Sequence, residues 1–288
     1  MKKLLLFALL LWLAPTYAQD TIRVITQERP SSKGLQPAFE VAVPQATTKE
    51  AIALWQETLV PKKFLNVLKK TPKLKKEKDE WIMRDVLLKE ISSQPLTVYT
   101  RVTNFTGKLY FTAFFSGENG FLGSATAPLY ANEAASAFVR NFGVDLYRQA
   151  VGKELKAEEN KLKSLEKDLK GLKKKRGSYE NKIKDKKAEI SDLNAGTRET
   201  EMRIDRRQNY NDQGQNPAAV EAVRSTTTEE LQKQLKAEKK DIKKANRSVR
   251  STERKVNKNL KAQSDKLNEI DRQKVRIEEV KVKLSRIK

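Results

Sequence analysis

The apolar positions of this chain change period along its length. From Leu4 to Ala14 they are unbroken, behind the positive pair Lys2-Lys3. Pro15 ends the run, and Thr16-Tyr17-Ala18 places small residues before Gln19. An apolar run of this length is too short for a bilayer core, which takes roughly 20 residues of helix. The pattern predicts a signal peptide over 1–18, cleaved after Ala18. No Cys follows the run, so a lipid anchor there is excluded, and no later segment is apolar enough to span.

Between residues 19 and 130 the period shortens to two, with one helical interruption. Thr21 to Thr26 reads as a strand, and Gln27 to Gly34, with its Pro, Ser and Gly, as a turn or linker. Phe39, Val41 and Val43 alternate with Glu40 and Ala42 up to Pro44. Thr47 and Glu50 form a capping box ahead of Ile52, Trp55 and Leu59, which recur at helical spacing. Phe64, Leu65 and Leu68 suit a second short helix. Four strand-like runs follow: Trp81 to Met83, Val86 to Ile91, Leu96 to Thr103 and Lys108 to Ser116, the last two joined by a hairpin turn at Asn104 to Gly107. In the last run Phe111, Ala113 and Phe115 share one face, and Tyr110, Thr112 and Phe114 the other. One face is expected against helices and one partly exposed. The glycines between Gly117 and Pro128 lack the spacing and the following Lys-Ser or Lys-Thr of a phosphate loop, and read as a connector.

From Asn132 the period becomes helical and stays so. Ala135, Val139, Phe142 and Leu146 form a stripe expected to pack on the head. Beyond it a seven-residue row holds Leu155, Leu162, Leu169, Arg176, Ile183, Ile190, Thr197 and Ile204, with Leu165, Leu172, Tyr179 and Leu193 in a companion row that also holds Glu158 and Lys186. Such rows predict a coiled coil. Gly196 is the expected place for a bend. Asn209 to Pro217 is the clearest break in the chain. After it Leu235, Ile242, Val249, Val256, Gln263, Ile270, Ile277 and Leu284 recur every seven residues, with Leu260 and Leu267 on a neighbouring stripe. Two such segments around a turn near 209–217 predict an antiparallel hairpin whose C-terminus returns to the head. A turn centred on Gln213 pairs Ile183 with Ile242 and Leu169 with Val256. The whole is read as a signal peptide (1–18), an α+β head in which an antiparallel sheet carries helices on one face (19–130), and a long antiparallel α-helical hairpin or coiled coil (131–288).

Charge gives this architecture its surface chemistry. The 288 residues hold 59 Lys+Arg and 37 Asp+Glu, a net charge of +22. Cleavage of the leader would leave +20. Residues 151–288 contribute 39 basic and 24 acidic side chains and residues 1–150 contribute 20 and 13, so the excess is spread over both parts. Its concentrated places are the candidate polyanion or partner surface: Lys62, Lys63, Lys69, Lys70, Lys73, Lys75, Lys76 and Lys78 before the sheet's later strands, Lys173, Lys174 and Lys175 in the first long helix, and Arg247, Arg250 and Arg254 in the second. The candidate seam is Leu162, Leu169, Ile183, Ile190, Ile242, Val249, Val256, Ile270 and Ile277. Arg176, Lys186 and Gln263 within it are candidates for specifying register or partner number.

The chain has no Cys and no His. Disulfides, thiolate or imidazole zinc sites, and catalysis by a Ser-His-Asp triad, a Cys-His pair or a histidine acid–base are therefore excluded. Nothing assembles a nucleophile, a base and an oxyanion donor, so the chain is expected not to be an enzyme and to need no cofactor or metal. Asn104-Phe105-Thr106 and Asn246-Arg247-Ser248 match the glycosylation acceptor pattern by its short length alone. Glu77, Asp79 and Glu80 read as a charge-balanced loop, and Trp55 and Trp81 as core. The basic runs lack the interleaved aromatics that stack bases, which disfavours nucleic acid.

The segments Phe39-Glu40-Val41-Ala42-Val43-Pro44, Lys89-Glu90-Ile91-Ser92, Val98-Tyr99-Thr100-Arg101-Val102 and Ala134 to Phe142 resemble a group of uncharacterised exported Bacteroidota proteins, which join an α+β head to a Lys/Glu-rich helical tail. That resemblance implies export but no activity. In outline, the basic head-plus-hairpin plan also resembles the Skp family of periplasmic holdase chaperones. The expected function is a non-enzymatic exported envelope protein, periplasmic in a diderm bacterium and otherwise secreted, whose basic arm is a spacer or binds a protein partner or a second copy. The alternatives are a holdase for unfolded clients and a binder of anionic envelope polymers.

Overall fold

The structure is a computed structural model that describes residues 22–60, 73–211 and 217–288, with side chains described except at 208–211 and 217–227. The expected leader, the short helix at Phe64 to Leu68 and the centre of the 209–217 turn lie outside the described residues. The described residues divide into two compact units, one holding those up to Glu159 together with Arg276–Lys288, the other those within Asn160–Val275.

The first unit is built on a seven-stranded antiparallel sheet. Its strands are β1 (Val24–Ser31), β2 (Gly34–Pro44), β3 (Lys75–Glu77), β4 (Glu80–Val86), β5 (Leu96–Phe105), β6 (Lys108–Gly117) and β7 (Gly120–Phe121). The spatial order is β1-β2-β6-β5-β4-β3, with β7 on β6. Strands β3 to β6 form a meander, and the β1–β2 hairpin adds to its far side through α1 (Thr48–Leu59). The capping box expected at Thr47 and Glu50 starts α1: Glu50 N–H donates to Thr47 Oγ1 at 3.3 Å, and Thr47 N–H to Glu50 Oε2 at 3.0 Å.

Several strand limits differ from the alternation. The segment Gln27 to Gly34, read as a turn or linker, is mostly paired strand: Gln27 to Ser31 belong to β1, with Pro30 opposite Leu35 in the β1–β2 hairpin. Arg84-Asp85, which lies between the runs read as two separate strands, is a bulge inside β4: Asp85 has φ of 57° and the register shifts between Met83 and Val86. Leu87 to Ile91 is then not a strand. Thr106 and Gly107, with φ of 49° and 73°, make the two-residue β5–β6 turn, whose left-handed backbone matches the twist of the strands.

One face of the sheet is dry. Phe39, Val41, Phe111, Ala113 and Phe115 lie there under Trp55 of α1 and under Ala135, Val139, Phe142 and Leu146 of the long helix α2 (Leu129–Asn211). Trp55 is fully buried, meets Phe111 and Phe142 edge-on at 4.9 and 4.7 Å, and donates from Nε1 to Thr100 Oγ1 at 2.8 Å. A buried indole N–H needs such a partner. The helix begins at Leu129 rather than Asn132. Asn132 instead holds the preceding loop, accepting from Gly123 N–H at 2.6 Å and donating to the Ser124 carbonyl at 3.3 Å.

The second long helix, α3 (Pro217–Arg286), brings its end back to this core, as expected. Val280 and Ile287 are buried in the same cluster, and Arg148 donates to the Ile287 carbonyl at 3.2 Å. Lys283 bonds Gln45 Oε1 at 2.7 Å and Glu154 Oε2 at 3.1 Å, and Arg276 bonds Glu154 Oε1 at 3.2 Å.

The second unit is an antiparallel pair of helices, the middle of α2 against the middle of α3. Asp168 pairs with Lys266, Lys187 with Glu253, and Glu201 with Lys239. Helical structure runs without a break through Gly196, where a bend was expected.

Candidate functional site

The register of the hairpin differs from the one centred on Gln213. Thr200 donates to Glu238 Oε1 at 3.3 Å, and the ion pairs fix the same alignment: each pair's numbers add to about 434–440 rather than about 425. Ile183 therefore lies level with the region near Glu253, not with Ile242. Register follows the fit of seam residues along the helices, and the middle of a break in composition does not encode it.

Every residue of the candidate seam is at least partly buried. Leu169, Val249, Ile270 and Ile277 are fully so, and Leu162, Ile183, Ile190, Ile242 and Val256 are intermediate. Leu260 and Leu267 are not on the seam; they are 42% and 46% exposed. The true companion row of α3 alternates by threes and fours with the apolar one and holds Leu231, Glu238, Ala245, Thr252, Asn259, Lys266 and Gln273, all buried or half-buried. Apart from Leu231 and Ala245 this row is polar, so it keeps the spacing of a seam without its hydrophobicity.

The polar seam positions mostly satisfy themselves along one helix. Arg176 pairs with Glu180 at 3.3 Å, Lys186 pairs with Glu189, and Gln263 donates to buried Asn259 Oδ1 at 2.6 Å. These contacts do not cross between helices, so they do not set register. Lys266 does cross. Its side chain is 21% exposed and lies 2.7 Å from Glu269 and 3.9 Å from Asp168. The hydrogen bond to Glu269, helped by both carboxylates' charge, raises its pKa above the usual lysine value against the opposing effect of burial.

The basic clusters lie outside this seam. Lys173, Lys174, Lys175, Arg247, Arg250 and Arg254 are all exposed, and none has an ion-pair partner among the described residues. By the observed register the two clusters sit at different levels of the arm, about a dozen residues or ~18 Å apart. Lys62, Lys63, Lys69 and Lys70 lie outside the described residues. Lys73, Lys75, Lys76 and Lys78 are exposed on or beside β3, the edge strand of the sheet. Lysines on an edge discourage pairing with another chain's strand, which accounts for this group. Lys76 also covers the half-buried Trp81 ring, with Nζ 5.1 Å from its centroid, so Trp81 is a platform for a lysine rather than full core.

The arm also has an open groove of about 590 Å³ beside Gly196, lined by Asp185, Glu189, Asp192 and Glu238. Among the described residues no three such groups are placed to hold a metal ion. No described helix is long and apolar enough to cross a membrane.

No family model matches this chain. No curated protein is significantly similar to it either. The functional reading therefore stands on residues and geometry.

Proposed function

We propose that this chain is an exported, non-enzymatic envelope protein whose basic helical arm binds an acidic protein partner. The observation that carries this is the division of labour on the arm. Its two helices fill the apolar seam with each other's residues, so the apolar rows are not left over for a partner. What remains outside is charge with an excess of the positive sign, including the six cations of the two clusters, which have no ion-pair partner among the described residues. Exposed cations without an ion-pair partner attract polyanionic surfaces over about a Debye length, ~8 Å at physiological salt. The cation-lined leader and the resemblance to exported head-plus-tail proteins support export.

The test uses the mature full chain. Cross-linking in the native envelope identifies bound proteins. The same experiment follows with Lys173, Lys174, Lys175, Arg247, Arg250 and Arg254 all changed to Gln, positions whose exposure leaves the fold intact. An acidic partner captured by the native chain, released by salt and lost in the variant supports the reading. Capture that is indifferent to both salt and substitution, or turnover of a small substrate by the chain, overturns it. Suppression of aggregation for many unfolded clients would favour a holdase instead.

A further inference from the structure

The second face of the head sheet is only partly covered, and it holds a groove that the arm's proposed role does not use. The groove has a volume of about 340 Å³ and is lined by Arg29, Glu40, Arg101, Thr103, Phe105 and Tyr110 among others. Sites for small ligands fall between about 300 and 1,000 Å³ and combine apolar walls with a few placed polar groups.

The two arginines differ in how they are held. Arg29 Nη2 lies 2.5 Å from Glu40 Oε1, and Thr112 donates to Glu40 Oε2 at 3.0 Å. That buried carboxylate cancels the charge of Arg29. Arg101 Nη1 donates at 2.7 Å to the Pro30 carbonyl, a neutral acceptor. Among the described residues no carboxylate pairs with Arg101, and the rest of its fork of donors has no partner. One positive charge in the groove is therefore uncompensated, on a side chain already fixed in place. Beside it Tyr110 is half-buried, and Phe105 is 67% exposed at the end of β5.

We propose that this groove binds a carboxylate-bearing sugar ring, a uronate of an acidic glycan. Arg101 takes the carboxylate through its free N–H groups, the geometry in which guanidinium binds carboxylate best. The Tyr110 and Phe105 rings take the apolar face of the sugar, and the hydroxyls of Thr103 and Tyr110 answer the sugar's own. An acidic peptide fits less well. Strands β2, β6 and β5 under the groove are paired on both sides, so an extended peptide finds a free backbone ladder only along the outer edge of β1.

Calorimetric titration of the mature full chain tests this with three probes: tetragalacturonate, its methyl ester, and tetraglutamate. Tetragalacturonate is expected to bind, and the ester, which keeps the rings and loses the charge, about tenfold more weakly. Arg101→Gln should weaken the acid about tenfold or more and remove its preference over the ester. Phe105→Ser, at a position too exposed to support the fold, should weaken both sugars together. Lys173→Gln with Lys174→Gln and Lys175→Gln should leave the affinity unchanged. Equal affinity in native and Arg101→Gln chains, or loss in the arm variant instead, overturns the proposal. So does tetraglutamate binding as tightly as the sugar. If Arg101→Gln unfolds the head, Phe105→Ser decides alone, and an unchanged affinity there overturns the proposal.

Discussion

Glu80 Oε1 accepts a hydrogen bond from the backbone N–H of Ser32 at 3.0 Å, although β1 and β4 are not neighbours in the sheet. The contact exists because the β1–β2 hairpin curls over the second face, where Arg101 also reaches the Pro30 carbonyl. Ala38, Ile82, Tyr99 and Phe114 form a small core on that face. Glu80 is 3% exposed, and its other oxygen has no partner. A buried carboxylate carries a desolvation cost that a single hydrogen bond offsets only in part. Here it fixes the hairpin tip. Glu80→Ala should release the tip at a cost of about 1–2 kcal/mol. The expected sign in hydrogen exchange is lost protection at Ser32 with the β5–β6 ladder unchanged. Uniform loss across the sheet would mean that Glu80 supports the whole fold instead.

Glycines in the long helix α2 should respond in opposite directions to the same substitution. A Cβ on Gly143 would lie 2.8 Å from Val41 Cγ2 and 2.9 Å from Ile22 Cγ2, so the absent side chain lets the helix approach the sheet. Overpacking costs about 1–3 kcal/mol, which exceeds the ~1 kcal/mol gained in helix propensity. Gly143→Ala should therefore destabilise, and Gly143→Val more so. A Cβ at Gly171 or Gly177 meets nothing within 4 Å, so Ala there should stabilise by up to about 1 kcal/mol each. Denaturant unfolding of the full chain reads all four variants.

The head's apolar face was legible because alternation and burial coincide in Val41, Val43, Phe111 and Phe115, and because Trp55 falls at helical spacing behind a capping box. The path of the sheet was legible only in its β3–β6 meander, whose neighbours follow one another in sequence. Alternation assigns residues to faces and says nothing about which strands are neighbours, so the β2–β6 pairing and the curl of β1 required tertiary contacts. The seam was half legible. Its row on α3, Gln263 included, stood out, whereas Asn259, Lys266 and Gln273 occupy seam positions with polar side chains and read as surface. The groove around Arg101 had no local signal, since its lining comes from β1, β2, β5 and β6.

Acid should loosen the contact between α1 and α2. Lys153 Nζ lies 2.6 Å from Glu50 Oε1, and this hydrogen bond, ahead of those from Thr47, holds the Glu50 carboxyl below its ordinary value. A carboxyl with a lowered folded-state pKa stabilises the fold above its unfolded pKa of about 4.5, and that contribution is lost as pH falls through the folded value. The pair is partly exposed, so the effect is at most about 1 kcal/mol. Melting temperature should fall between pH 5 and 3, and Lys153→Met should shrink that fall while leaving the value near pH 7 slightly reduced. An identical acid limb in the variant would assign the loss to other carboxylates.

The register of the arm can be read directly, because the native chain has no Cys to interfere. Thr200 and Glu238 touch across the two helices at 3.3 Å. Thr200→Cys with Glu238→Cys should therefore join through a short thiol cross-linker within one chain. Ile183→Cys with Ile242→Cys, the pair implied by a turn centred on Gln213, should not. The two alignments differ by about 13 residues, or ~20 Å of helix, far beyond such a reagent. Repeating both at high dilution separates helices of one chain from helices of two. A Thr200–Glu238 cross-link that persists on dilution places the pairing within one chain, and one that vanishes places it between chains. Cross-linking of the Ile183–Ile242 pair instead would replace the observed register and move every seam contact with it.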